Sequence, residues 1–260
     1  MTRSILILGG TADARILAGE LAEDAGCRIL LSMAGRTLSP VEQPVPMRSG
    51  GFGGTAGLAD FIRAEDFDIL VDATHPYAAR MSANAVEAAR LAGVPLVVLS
   101  RPAWQCQPGD RWQGVDTVEQ AVTALGNESR RVFLALGRQE LLPFEAAPRH
   151  SYLIRSVDPV DPPLKLANAR YVTARGPFAL DDEIRMLAEN RIETVVSKNS
   201  GGSASYGKIE AARHLGLPVI MIERPRPLSE APLNGAIVPD IATALTAIRH
   251  QLSLLENRGE

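Results

Sequence analysis

Ile5-Leu6-Ile7-Leu8 runs straight into Gly9-Gly10-Thr11, after which Ala14, Leu17, Ala18 and Leu21 recur at helical spacing before the strand-like residues 28–31. A strand-sized apolar run, a glycine turn, an amphipathic helix and a second strand make a βαβ opening. The scheme continues outward from there. Residues 46–49 lead into Gly50-Gly51-Phe52-Gly53-Gly54 and a helix near 58–64, and residues 68–72 into Ala73-Thr74-His75-Pro76-Tyr77, a helix over 78–92 and a strand at 96–99. Strands alternating with helices predict an α/β fold with a parallel sheet, whose ligands sit beyond the strand carboxyl ends. The alternation lapses over 100–114, where Arg101-Pro102, Trp104, Pro108-Gly109 and Trp112 read as a crossover, and a domain boundary is placed there. It resumes with strands at 132–136, 152–156, 171–174, 194–197 and 219–222, an extended proline-rich loop at 158–163, and a closing helix over 241–255.

The two halves resemble each other. Residues 88–102 return 123 positions later as 211–225, with seven of fifteen positions identical, including the closing Arg101-Pro102 and Arg224-Pro225. Helix-Gly-x-Pro-strand is a common α/β joint that can recur by coincidence, but Leu6-Ile7-Leu8-Gly9 also matches Leu134-Ala135-Leu136-Gly137. Two related α/β halves is the economical reading. The same offset sets His75 opposite Lys198 at the ends of equivalent strands, and halves that face each other would turn both toward one cleft.

With 260 residues, 46% of them apolar, the chain can build one large or two medium cores. Lys and Arg number 27 against 30 Asp and Glu, a net charge of -3, so no basic field exists to hold nucleic acid or an anionic membrane. Only Lys165, Lys198 and Lys208 are lysine, and the last two fall in one segment rich in small and polar residues. Cys27 and Cys106 are far apart and the four histidines are scattered, so no metal site is expected. The absence of a signal-peptide pattern and the strand-sized apolar runs predict a soluble cytoplasmic protein, with a monomer as the default state.

Several strand ends carry chemistry. Gly9-Gly10-Thr11 is not G-x-G-x-x-G, but its glycines allow close backbone approach, the following helix offers N–H groups to a pyrophosphate, and Thr11 adds a hydroxyl. Turn geometry alone is the alternative. The end of the second strand lacks the acid that reads the ribose hydroxyls of NAD; Ser32 and Arg36 offer instead a hydroxyl and a guanidinium suited to a 2′-phosphate, unless Arg36 is a solvated surface residue. Gly51-Phe52-Gly53-Gly54 is either loop filler or a place where backbone approaches a flat ligand. Thr74, His75 and Tyr77 end a strand, with a plain buried histidine as the alternative for His75. Ser197-Lys198-Asn199-Ser200-Gly201-Gly202, with Lys208 following, is too polar after an apolar strand to be explained by packing and reads as ligand contact.

These segments, with Gly137-Arg138-Gln139-Glu140 and Arg175-Gly176-Pro177-Phe178, resemble in order the precorrin-6A reductases of the cobalamin pathway. The likeness spans nearly the whole chain; one departure is Asp13, where the family more often carries Glu. The resemblance implies two Rossmann-like domains, an NADP-binding one over 1–105 and a substrate one over 106–260, with an interdomain cleft for cofactor and macrocycle. It implies NADPH-dependent reduction of one conjugated double bond of a polycarboxylate tetrapyrrole, precorrin-6A giving precorrin-6B.

Such a reaction needs a cofactor groove, cations for carboxylates and a proton source. Gly9, Gly10, Thr11, Ser32, Arg36, Gly51, Phe52, Gly53, Gly54 and Thr74 are the cofactor-binding candidates. His75, Tyr77 and Lys198 are the catalytic candidates, which the sequence does not rank, and Arg138, Arg175, Asn199, Ser200, Lys208 and Arg224 are the substrate-binding ones. A non-catalytic NADP-binding regulator is the rival from another class, disfavoured by the polar Lys198-Asn199-Ser200 element. A nucleotide-sugar glycosyltransferase would need an acidic base or diphosphate clamp that is not identifiable.

Overall fold

The computed structural model describes residues 2–35, 41–225 and 234–256. The chain divides into two compact units, one formed by Met1–Pro102 with Arg226–Glu260 and the other by Ala103–Pro225.

The first unit holds β1 (Arg3–Leu8), α1 (Ala12–Ala22), β2 (Cys27–Met33), β3 (Met47–Ser49), α2 (Thr55–Ala64), β4 (Ile69–Asp72), α3 (Ala79–Ala92) and β5 (Leu96–Leu99). Its sheet runs β12-β5-β4-β1-β2-β3, with every pair parallel; β12 is Ala236–Val238, followed by α7 (Ile241–Glu256). Alternation along β1 sorts its side chains into two cores. Ile5 and Ile7 meet Leu17 and Leu21 of α1 and Ile248 of α7, whereas Leu6 and Leu8 meet Leu58 and Ile62 of α2 and Ala85 and Ala88 of α3. Burial on both faces is why the strand reads as a continuous apolar run.

The second unit comprises β6 (Arg111–Val115), α4 (Val118–Ala124), β7 (Arg131–Ala135), β8 (Ser151–Ser156), β9 (Ala169–Thr173), α5 (Leu180–Glu189), β10 (Thr194–Lys198), α6 (Gly207–His214) and β11 (Pro218–Ile222). Its sheet order, β6-β11-β10-β7-β8-β9, is again all parallel. Both sheets follow the doubly wound order, with switch points between β1 and β4 and between β7 and β10.

The sixth strand of each sheet comes from the other half of the sequence. After β5 the chain passes Arg101-Pro102 and lays β6 beside β11; after β11 it passes Arg224-Pro225 and β12 lies beside β5. The 123-residue offset carries through the exchange: Thr117 caps α4 by accepting from Gln120 N, and Asp240, 123 positions later, accepts from Thr243 N at the start of α7.

The boundary drawn from sequence, with 106–260 as one domain, therefore needs correction at its carboxyl end. Ala244, Ile248 and Leu252 of α7 are buried against the first unit's sheet. Burying such side chains contributes about 1.5–3 kcal/mol for each Ile or Leu, which assigns α7 and β12 to the first unit. Residues 100–114, read as a crossover, also contain most of β6; as an edge strand it buries only Val115 and shows no apolar run.

Candidate active site

In the first unit, the loops after β1 and β4 meet across the switch point. Thr11 Oγ1 caps α1 by accepting from Ala14 N at 3.1 Å and donates to Ala73 O at 3.0 Å, so one hydroxyl fixes both loops. Gly10 has φ +117°, a conformation that disfavours any side chain, and a Cβ built there would meet nothing within 4 Å among the described residues. Backbone and helix terminus are thus open to a ligand. Asp13, in the first turn of α1, pairs with Arg101.

After β4, buried Asp72 organises the loop: Oδ1 accepts from Thr74 N at 3.0 Å and from Thr74 Oγ1 at 2.7 Å. Its Oδ2 is buried without a hydrogen-bond partner among the described residues, an acceptor that suits a donor from a bound group. The His75 and Tyr77 rings, both half-buried, lie 5.5 Å apart between centroids, and His75 Nδ1 accepts from Tyr77 N at 3.4 Å.

At the far side of this sheet, Ser32 is buried at the end of β2, and its Oγ accepts from Arg48 Nη1 at 2.8 Å. Arg48 Nη1 and Nη2 donate to Gly50 O and Gly51 O, both at 3.2 Å, and the guanidinium stacks on Phe52 at 4.0 Å. Gly50, Gly53 and Gly54 have positive φ. Gly57 is fixed by contact rather than conformation, since a Cβ there would stand 1.8 Å from Phe52 O. Arg36 lies outside the described residues.

In the second unit, the loops after β7 and β10 meet in the same way. Lys198 Nζ pairs with Glu140 Oε1, and Glu140 Oε2 accepts from Gly137 N at 3.1 Å. Arg138 belongs to the short 3-10 turn Arg138–Glu140, Arg175 is exposed just past β9, and Ser200 N donates to Lys198 O at 2.9 Å. Asn199 is buried and its amide is committed: Oδ1 accepts from Trp104 N at 2.8 Å and Nδ2 donates to Trp104 O at 3.1 Å. Arg224 Nε donates to Asn199 O at 2.7 Å. Trp104 also donates from Nε1 to Gly202 O at 3.0 Å and walls a cavity of about 480 Å³ with Phe178, Leu180 and Tyr206.

Lys208 stands apart from the other candidates. It is 3% exposed, donates from Nζ to Ser205 O at 2.6 Å, and lies 4.9 Å from the Trp104 ring centroid. Burial pushes its pKa down to about 7, with the nearby Arg155 charge adding and Glu183 opposing. Arg155 and Glu183 form a buried two-bond ion pair, with the guanidinium 3.6 Å from the Phe178 ring centroid. Every other described candidate lies in the first unit's loops 9–11, 51–54 and 74–77, at Ser32 in β2, or at or just after the ends of β7, β9, β10 and β11.

Sequence reasoning did not single out Asp72, Arg48, Glu140, Trp104 or the Arg155–Glu183 pair. Glu140 carried a readable signal, since an acid three residues after a turn glycine can cap that turn. Arg48 carried another, as the only charge in a short strand that leads into a run of glycines. No metal-binding group of His, Cys, Asp and Glu is present among the described residues, and no described helix is long and apolar enough to cross a membrane.

Two doubly wound parallel sheets with polar loops gathered at their switch points define an α/β protein of the Rossmann kind. Residues 4–249 match the family model described as Precorrin-6x reductase CbiJ/CobK, and the chain belongs to that family of reductases. It is 55% identical over 249 residues to a precorrin-6A reductase of Sinorhizobium sp, covering 96% of this chain and 94% of that one. It is 52% identical over 225 residues to the precorrin-6A reductase of Rhodobacter capsulatus, with 86% and 89% covered. Among solved structures, one titled CobK precorrin-6A reductase superposes with a TM-score of 0.89 at 44% identity, over 96% of this chain and 97% of that one.

Proposed function

We propose that this protein reduces precorrin-6A to precorrin-6B with NADPH in cobalamin biosynthesis. The observation that carries the reading is the family match over 4–249, which includes the polar loops of both switch points. The relatives named above are called precorrin-6A reductases, which supports the cobalt-free substrate.

The first unit is the cofactor unit in this reading. Gly9, Gly10 and Thr11 would admit the pyrophosphate against the start of α1, and Gly51, Phe52, Gly53, Gly54 and Thr74 would border the rest. A bound NADPH supplies the hydride. The protein's own task is to bind, orient and move one proton. Lys198, already paired with Glu140, is the preferred proton carrier at Nζ, with His75 and Tyr77 serving the cofactor side. Arg138, Arg175, Ser200 and Arg224 would meet substrate carboxylates. Asn199 and Lys208 would act indirectly, by holding Trp104 and the turn at Ser205.

The test is anaerobic incubation of the purified protein with precorrin-6A and NADPH. A shift of the macrocycle spectrum, with equimolar loss of the reduced-nicotinamide absorbance, is expected; an unchanged chromophore would refute the reading. The reading extends to a monomer in the cytoplasm, checked by sedimentation and cell fractionation.

A further inference from the structure

We propose that Trp104 is a positioning residue for the reaction: it grips the loop after β10 at Asn199 and at Gly202, and through that loop it holds Lys198 in place. This rests on the reading of Lys198 as the proton carrier and names what orders its surroundings.

The loop does not order itself. Lys198 is the last residue of β10, and Gly201 and Gly202 follow at φ +60° and +73°. Glycine loses more chain freedom on folding than any other residue, so two in a row leave the turn without a local preference for one shape. Neither glycine makes a backbone–backbone hydrogen bond among the described residues. The loop's own bonds lie to either side of them, Ser200 N to Lys198 O at 2.9 Å and Tyr206 N to Ser203 O at 3.2 Å. Order at 201–202 therefore has to come from another segment.

Trp104 supplies it. Its N–H donates to Asn199 Oδ1 at 2.8 Å and its C=O accepts from Asn199 Nδ2 at 3.1 Å, so the side-chain amide pairs with its backbone as a neighbouring strand would. The indole Nε1 donates to Gly202 O at 3.0 Å, the carbonyl of the second glycine. The ring is itself held: Tyr206 stands 5.6 Å away between centroids, and Lys208 Nζ lies 4.9 Å from the indole centroid. The Tyr206 hydroxyl accepts from Arg213 Nη2, Arg213 Nε donates to Asp110 Oδ1 at 2.8 Å, and Asp110 Oδ2 accepts from Gln107 N at 2.7 Å. This circuit returns to the segment that carries Trp104, which makes the indole a fixed point for the loop. Placement bears on rate, because an error of about 1 Å in a reacting group can cost about 100-fold.

Trp104→Phe keeps a ring beside Tyr206 and Lys208 and both bonds to Asn199, and deletes the donor to Gly202 O. Two measurements read it. In amide hydrogen exchange of the free protein, residues 199–206 are expected to exchange about fivefold faster and α1 at the wild-type rate, the scale of one lost hydrogen bond opening a loop locally. In steady-state reduction of precorrin-6A, kcat should fall about fivefold while KM for NADPH changes less than about twofold, and the same substitution in a Lys198→Ala background should lower kcat no further. A residue that only stabilises the fold would lower kcat alike in both backgrounds. If Trp104→Phe does not melt cooperatively, benzothienylalanine at position 104 makes the same deletion at unchanged size, with sulfur in place of the N–H. A wild type that does not turn over, or wild-type kcat in Lys198→Ala, would overturn the reading of Lys198 and this role with it. Unchanged exchange at 199–206, or a loss of kcat that is equal with and without Lys198, would overturn the role of Trp104 alone.

Discussion

Lys198 and Glu140 join the two loops that flank the switch point of the second sheet: the lysine ends β10, the glutamate closes the turn after β7, and their side chains form an ion pair. The first unit makes the same junction with a hydroxyl, Thr11 donating to Ala73 O. A charged bridge in one half and a neutral one in the other mark the two related switch points as differently equipped.

Glu140→Gln keeps the shape of the bridge and removes its charge. If Lys198 carries the proton, Lys198→Ala is expected to lower kcat at least tenfold, and Glu140→Gln to lower it by less. The double variant should be no worse than Lys198→Ala alone, because two residues acting as one unit are not additive. Steady-state kinetics of the four proteins checks this; strictly multiplicative losses would show that the pair does not act together.

The Arg155–Glu183 pair carries folding energy rather than chemistry. Both side chains are buried, so Glu183→Ala leaves an uncompensated guanidinium between Phe133 and Phe178 and should cost about 3–5 kcal/mol, read from urea unfolding. Replacing both partners by apolar residues of similar size should cost much less.

His150 gives a pH dependence of known sign. It is fully buried, and burial, helped by the Arg149 and Arg130 charges, lowers its pKa below the ordinary value near 6.5. The folded state then binds fewer protons than the unfolded one, so the stability it contributes is present above about pH 6.5 and is lost as pH falls from there toward the lowered value. His150→Phe is expected to flatten the fall in melting temperature between neutral and mildly acidic pH relative to wild type.

Lys208 acts at the alkaline side. With its pKa pushed down to about 7, the unfolded chain binds more protons from there up to the ordinary lysine value, so stability should rise with pH through that window. Lys208→Met should remove the rise, and the difference in melting temperature between the two proteins, measured at neutral pH and at mildly alkaline pH, reports it.

The strands that are buried on both faces were legible because each is a short apolar run: β1, β4, β5, β10 and β11 stand within two residues of where the pattern puts them. The edge strands β6 and β12 were not. β6 buries one residue and β12 is three residues long, so neither leaves a pattern to read. The exchange of sixth strands was invisible for another reason. The repeat fixes which segments are equivalent, but pairing β12 with β5 depends on which core Ile248 and Leu252 fill. In the site, strand-end positions could be read from the switch from apolar to polar residues. Partners could not, because Glu140 and Lys198 are 58 positions apart and Trp104 and Asn199 are 95 apart.

Transfer of deuterium from NADPH labelled at the hydride-donating carbon bears most directly on the reductive role. After anaerobic turnover with precorrin-6A in ordinary water, mass spectrometry should find one deuterium on the macrocycle, gained more slowly with Lys198→Ala and absent when unlabelled NADPH replaces the labelled cofactor in ordinary water. A macrocycle that changes its spectrum without acquiring the cofactor's deuterium, or that remains unchanged while NADPH is bound, would contradict it.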